Sequence, residues 1–237
     1  MARDPRAAVE WYEKSAVQGN AAAQTRLAFL LDRGTSGRKV DPLVIAGWYR
    51  KAADQSNATA QNNLAAFYED GRGVARDVGM ALELYSKAAV QGNIPAEYNL
   101  AAKYDSGTQV RRDVARAVEL YRKAAMQGDA LSQEQLGTFY LQGHGVPADP
   151  HEAFEWFRKA AQQNDSTAQI QLSNAYHEGR GVARDPVASC DWMKTAVASR
   201  PPASGDPSAS AARARNDLVY EQSLRRNCQD AGTAATQ

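Results

Sequence analysis

Apolar positions along the chain fall into short clusters with helical spacing, and the clusters recur. Ala60, Leu64 and Tyr68 lie at i, i+4 and i+8, with Gln61 and Ala65 beside them, which is one face of a helix over 58–70. Asn57 precedes that run with a side-chain oxygen able to accept from a first-turn N–H, and Gly71 follows as the left-handed residue that ends it. A second run carries Ala81, Leu84, Tyr85, Ala88 and Ala89 on one face, with Asp77 as its N-cap and Gln91-Gly92 as its exit. The stretch 58–93 therefore predicts two short helices, A and B, joined by the turn Gly71-Arg72-Gly73-Val74.

The pair is then repeated. Tyr68 recurs as Tyr104, Tyr140 and Tyr176, Asp77 as Asp113, Asp149 and Asp185, and Leu64 as Leu100, Leu136 and Leu172, each step being 36 residues. A fixed period of that length marks a stacked array in which each unit contacts its neighbours and no central core forms. Helices near or below ~12–15 residues are at best marginal alone, so stacking must supply their burial. Small side chains at Ala65, Ala81, Ala88 and Ala89 let the axes approach towards the short end of the usual ~8–10 Å.

Reading every copy gives the second helix of an incomplete repeat at 1–20 and full repeats at 21–57, 58–93, 94–129, 130–165 and 166–200. A linker at 201–206, a capping helix at 207–229 and a flexible tail at 230–237 complete the chain. The third full repeat has Gln109 where the second turn glycine belongs, which predicts a strained or different turn. Asp149-Pro150-His151-Glu152 predicts a capping box with proline at the first helical position. The last repeat degrades around Ala198-Ser199-Arg200, where the Gln-Gly-Asn exit is expected. In the capping helix, Tyr220, Leu224 and Cys228 form a narrow apolar stripe. Asp4-Pro5, Trp11-Tyr12, Lys14 and Gln18-Gly19-Asn20 match a helix B and its exit, so the chain opens on a helix whose partner is missing. This reads as truncation of a longer parent, and an exported, periplasmic parent is compatible with it.

Composition narrows the function. Net charge is +1, from 28 basic and 27 acidic residues, which gives no basic field for nucleic acid. No apolar run has the length a membrane helix needs, so membrane insertion is not expected, and the N-terminus lacks a secretory apolar core. The Gly-x-Gly turns at Gly71/Gly73, Gly143/Gly145 and Gly179/Gly181 follow helices and lack the context of a phosphate loop. His144, His151 and His177 fall in different settings without metal-ligand spacing, and no Ser-His-Asp signature is present. No cofactor, metal or catalytic group is expected. Trp11, Trp48, Trp156 and Trp192 share one helix-B position with Leu84 and Leu120, which reads as a core or stacking site. Cys190 takes a position held elsewhere by Val9, Ala46, Leu82, Val118 and Phe154, and reads first as a buried small hydrophobe. If the capping helix packs on the last helix B, Cys190 and Cys228 could instead pair in an oxidising compartment.

The recurring pattern, carried by Ala60, Leu64, Tyr68, Gly71, Gly73, Val74, Asp77, Ala81, Tyr85, Lys87, Ala88, Ala89, Gln91 and Gly92, resembles the Sel-one-like repeat family, relatives of the tetratricopeptide repeats. The match runs to about Ala198, with departures at Arg38, Gln109, Met193 and Thr195. The resemblance implies an all-α, right-handed α-solenoid that serves as an adaptor, as in eukaryotic quality-control complexes and bacterial signalling or envelope roles. Cysteine-rich relatives with disulfide-stapled repeats are linked to β-lactam or peptidoglycan chemistry; this chain lacks their cysteine pairs within repeats, so that activity does not transfer.

By the same resemblance, helix A lines a concave face. Positions two before the leucine, two after it and one after the tyrosine then point into the groove: Thr25, Phe29 and Asp32; Asn62, Ala66 and Glu69; Tyr98, Ala102 and Asp105; Glu134, Thr138 and Leu141; Ile170, Asn174 and His177. These residues change between repeats while the framework does not. They predict a partly acidic groove for an extended protein or peptide segment with apolar anchors, which would also suit Lys or Arg. The leading expectation is a non-enzymatic interaction scaffold. A cell-envelope module binding peptidoglycan or another glycan is the alternative, and a hydrolase is disfavoured.

Overall fold

In the computed structural model, residues 5–35, 37, 39–199 and 221–229 are described. They form α1 (Pro5–Val17), α2 (Ala21–Asp32), α3 (Pro42–Ala53), α4 (Ala58–Asp70), α5 (Val78–Val90), α6 (Ile94–Ser106), α7 (Val114–Met126), α8 (Ala130–Gln142), α9 (Pro150–Ala161), α10 (Ser166–Glu178) and α11 (Pro186–Ala198). A twelfth helix, α12, covers 221–228, and no strand occurs among the described residues. The chain is an all-α solenoid built from stacked antiparallel helix pairs. Contacts divide it into two compact units, 1–120 and 121–237.

Local chemistry sets the helix ends. Asn20, Asn57, Asn93, Asp129 and Asp165 each accept a first-turn N–H ahead of a helix A. Asp41, Asp77, Asp149 and Asp185 do the same ahead of a helix B. The capping box expected at Asp149 is only half formed. Its side chain accepts from the His151 and Glu152 N–H groups, but its own N–H donates to the Tyr140 carbonyl, leaving Glu152 nothing to reciprocate. Asp77, Asp113 and Asp185 likewise donate to the carbonyls of Tyr68, Tyr104 and Tyr176, so the tyrosine backbone closes each hairpin.

In unit 1 each helix from α1 to α6 packs on the next, and in unit 2 the same holds from α8 to α11. The buried layer consists of alanines and the repeated leucines with an aromatic from helix B at Tyr49, Tyr85, Tyr121 and Phe157, a position taken by Met193 in α11. In α4 and α8 the residue before the repeated tyrosine completes it. Phe67 and Phe139 are buried, and Tyr49 meets Phe67 edge-on at 5.5 Å. Tyr68 and Tyr140 are half-buried and accept instead from Arg50 and Arg122 at 2.9 and 2.8 Å. Helix periodicity places the tyrosine on the core face, whereas in α4 and α8 the core takes its neighbour.

The tryptophan position is also not core. Trp11 is 72% exposed, and Trp48, Trp156 and Trp192 are half-buried. Lys14, Lys51 and Lys159, each three residues on, place their ammonium groups 5.2, 4.4 and 3.9 Å from the indole centroids of Trp11, Trp48 and Trp156. Only where the position is leucine, at Leu84 and Leu120, is it buried.

Cys190 and Cys228 form a disulfide, joining α11 to α12, so the reading of Cys190 as a free buried hydrophobe is corrected. The most buried residue of α12 is Asn227, not the apolar Leu224 of the expected stripe. Tyr220, the linker 201–206, the first part of the expected capping helix and the tail 230–237 lie outside the described residues.

Candidate interaction surface

The fifteen candidate positions on the A helices fall into three classes of exposure. Two residues before the leucine, Thr25, Asn62 and Glu134 are buried, while Tyr98 and Ile170 are half-buried. Two after it, Phe29, Ala66, Ala102, Thr138 and Asn174 are all half-buried. One after the tyrosine, Asp32 is exposed, and Glu69, Asp105, Leu141 and His177 are half-buried. The face is thus a partly covered one, in which neighbouring repeats touch each other.

Within unit 1 those touches are polar. Asn99 donates to Asn62 at 3.1 Å, and Arg72 bridges to Asp32 at 2.9 Å. Glu69 receives Lys103 in a short ion pair, together with Gln109 and the Tyr85 hydroxyl, each at 3.3 Å. Gln109 is therefore not only a misfit in its turn. It holds φ below zero, where the glycines in its register are left-handed, and sends its amide to the preceding repeat. Asp105 faces Arg112 at 3.8 Å. In unit 2, Thr138 donates to Glu134 at 3.2 Å, and Asn174 accepts from Arg226 and Asn227 of α12. A cavity of about 40 Å³ lies beside Leu141 and Asn174, with Phe154, Phe157 and Arg180 in its wall.

These contacts correct the expected acidity. Asp32, Glu69 and Asp105 each have a basic neighbour within the fold, so little of their charge remains to attract a basic segment. Burial on its own would raise the Glu69 carboxyl, but Lys103, then Gln109 and Tyr85, outweigh it and hold the group below its ordinary range. Glu134 goes the other way. Burial raises it, with Asp165 adding to the effect and Thr138 and Gln135 opposing.

A carboxyl with a depressed folded-state pKa stabilises the fold above its unfolded value of 4.5, and this is lost as pH falls through the folded pKa. A raised one gives the opposite sign. Glu69→Gln should thus cost about 1 kcal/mol at pH 7, the deficit closing as pH falls below about 4.5. Glu134→Gln should cost less at pH 7 or stabilise, because it removes a penalised charge. Urea unfolding of both variants across this pH range checks the prediction, and parallel curves would refute it.

One recurring contact was missed entirely in the sequence. Gln24, Gln61, Gln133 and Gln169 are buried at the same place in helix A, and each donates to a carbonyl of the preceding helix B: Ala16 at 3.1 Å, Ala53 at 3.4 Å, Ala125 at 3.0 Å and Ala161 at 3.2 Å. The exit glutamine of the same repeat then donates to the amide oxygen. Gln55 reaches Gln24 at 2.9 Å, Gln91 reaches Gln61 at 2.8 Å, and Gln163 reaches Gln133 at 2.8 Å. The signal was present as two glutamines recurring about 30 residues apart.

A family model described as the Sel1 repeat matches residues 1–20, 21–57, 58–93, 94–129, 130–165 and 166–199. The chain belongs to the Sel1 repeat family. Among solved structures, a Sel1 repeat protein from Oxalobacter formigenes is 32% identical, with a TM-score of 0.71 over 78% of this chain and 76% of that one. A putative Sel1 repeat protein from Klebsiella pneumoniae shares the fold at 22% identity and a TM-score of 0.53, over 87% and 98% of the two chains. An immunity protein from Pseudomonas aeruginosa shares it at 21% identity and a TM-score of 0.50, over 89% and 83%. No curated protein matches the sequence significantly. Sel1 repeats are commonly protein-interaction modules, and no helix among the described residues of this one is long and apolar enough to cross a membrane.

Proposed function

We propose that this Sel1 repeat chain is a non-enzymatic scaffold that binds an extended protein segment along the helix-A face of each unit. The observation that carries the reading is the state of Phe29, Tyr98, Leu141 and Ile170. The framework residues Leu27, Leu64, Phe67, Leu136 and Leu172 are buried, whereas these four stay half-exposed on the face that varies between repeats. Half-exposed aromatic and aliphatic side chains are the usual anchors of an interface. Arg26 and Arg33 flank the Phe29 ring at 5.3 and 5.2 Å, which keeps that anchor in a fixed setting. Because Asp32, Glu69 and Asp105 are already paired, the segment is selected by its apolar side chains and backbone more than by positive charge.

The test is replacement of Phe29, Tyr98, Leu141 and Ile170 together by alanine. A protein captured by the unaltered chain should bind the variant at least about tenfold more weakly, since one anchor alone contributes above roughly 1 kcal/mol. A variant with an unchanged helical spectrum that retains full affinity overturns the reading.

A further inference from the structure

The ladder, in which Glu97 stands for glutamine in the third full repeat, loses its exit glutamine at the last repeat. Gln169 holds the register of Gln24, Gln61 and Gln133, is wholly buried, and donates to the Ala161 carbonyl as they do to theirs. That bond fixes the orientation of the amide, leaving Oε1 to accept from an exit residue. The residue in the register of Gln91 and Gln163 is Ser199, which is too short to reach, and Gln169 Oε1 has no hydrogen-bond partner. An orphaned buried carbonyl oxygen is costly to leave unmade.

A second substitution occurs beside it. Lys51 and Lys159 cover the indoles of Trp48 and Trp156, but the equivalent of these lysines is Thr195, whose hydroxyl turns back to the Asp191 carbonyl at 2.8 Å. Among the described residues no cation stands over Trp192. A cavity of about 510 Å³ opens there, with Gln169, Trp192, Thr195, Asp191 and Asn164 in its wall. The equivalent cavity in unit 1 has the same volume, about 510 Å³, but its Gln61 oxygen is taken by Gln91 and its aromatic position is Leu84. Among the described residues, the last repeat thus combines an acceptor without a donor and a half-buried indole without a cation over it.

We propose that this cavity binds a glutamine side chain of a partner peptide. The carboxamide would donate to Gln169 Oε1 as Gln55, Gln91 and Gln163 do within the chain, while its flat amide and methylenes lie against Trp192. The three occupants already present in the fold are what select a glutamine over other donors. The site is separate from the helix-A face, so failure of either reading leaves the other standing.

The experiment follows the Trp192 indole N–H resonance of the full chain, assigned with Trp192→Phe, during titration with the peptide acetyl-Ala-Gln-Ala-amide. A saturable shift with a Kd on the order of 1–10 mM is expected for a ligand whose buried part is so small. Acetyl-Ala-Leu-Ala-amide should bind at least tenfold more weakly, and so should the glutamine peptide to Gln169→Leu. Ser199→Gln supplies the missing donor from within the chain and should abolish the shift while keeping the fold. No saturable shift, equal binding of the leucine peptide, or unchanged binding by Ser199→Gln overturns the proposal. A larger saturable shift with N-acetylglucosamine than with the glutamine peptide also overturns it, in favour of a glycan site.

Discussion

Gly181→Ala should destabilise unit 2 by roughly 3 kcal/mol, while Gly179→Ala, two residues earlier, should cost only about 1 kcal/mol. The two glycines have nearly the same backbone, at φ 71° and 74°, and both pay the left-handed penalty of a side chain. Their surroundings differ. A Cβ on Gly179 would have nothing nearer than the Arg184 Cβ at 3.6 Å, an ordinary contact. A Cβ on Gly181 would lie 2.0 Å from the Pro150 carbonyl oxygen and 2.9 Å from the His151 nitrogen, so backbone must move. Those atoms open α9, the helix B of the preceding repeat. The second glycine of the turn is therefore a stacking contact between repeats, and the first is only a helix terminator. Gly73 repeats the arrangement in unit 1, its Cβ falling 2.2 Å from the Pro42 carbonyl carbon. Urea unfolding followed by circular dichroism would measure the difference. Equal losses for Gly179→Ala and Gly181→Ala would mean that the stack opens at this contact without cost.

The division between what was legible in the sequence and what was not follows the range of each interaction. The helix read over 58–70 is observed as α4 with the same bounds, because Asn57 at one end and Gly71 at the other act on backbone only a few residues away. Turn chemistry has similarly short range, so Gly71 and Gly73 were placed correctly as turn residues. That Gly73 abuts Pro42 was not legible, since it depends on how one repeat is set against the last. The same limit explains the candidate face. Its register on helix A could be read from the period, but Lys103 meets Glu69, and Arg72 meets Asp32, across intervals of 34 and 40 residues that periodicity does not rank. The acidity expected from composition was lost to those partners. Tryptophan was read as a core or stacking site from its apolar neighbours in the alignment of copies, although a lysine three residues on was available to cover an exposed ring. Cys190 was read correctly as buried, while its pairing depended on the docking of a helix 38 residues away.

Reduction of the Cys190–Cys228 bond should release α12, with amide exchange in 221–228 accelerating by on the order of a thousandfold. The bond closes a loop of 38 residues, for which the chain-entropy relation gives about 4 kcal/mol, and the effect falls on local opening because only α12 is tethered. The rest of its attachment is polar. Asn227 is wholly buried, donating to the Ser173 hydroxyl at 2.6 Å and to Asn174 at 3.2 Å, while Arg226 donates to Asn174 at 2.9 Å. Ser173 and Ser189 in turn donate to each other's backbone carbonyls at 2.6 and 2.9 Å. In the second, third and fourth full repeats the same two positions are Ala65 and Ala81, Ala101 and Ala117, and Gly137 and Ala153. Small apolar residues there suit a neighbour of the same kind, whereas two hydroxyls suit the amide of Asn227. The last repeat is thus fitted to this one helix, and the fit holds only while α12 is kept in place. Asn227→Ala in the oxidised protein should cost about 1–2 kcal/mol of local stability, because the Ser173 hydroxyl loses a buried donor while the covalent tether remains. Hydrogen exchange on the oxidised chain, the reduced chain and the oxidised Asn227→Ala variant separates the two contributions. Unchanged protection of 221–228 after reduction would show that the polar network alone holds the helix.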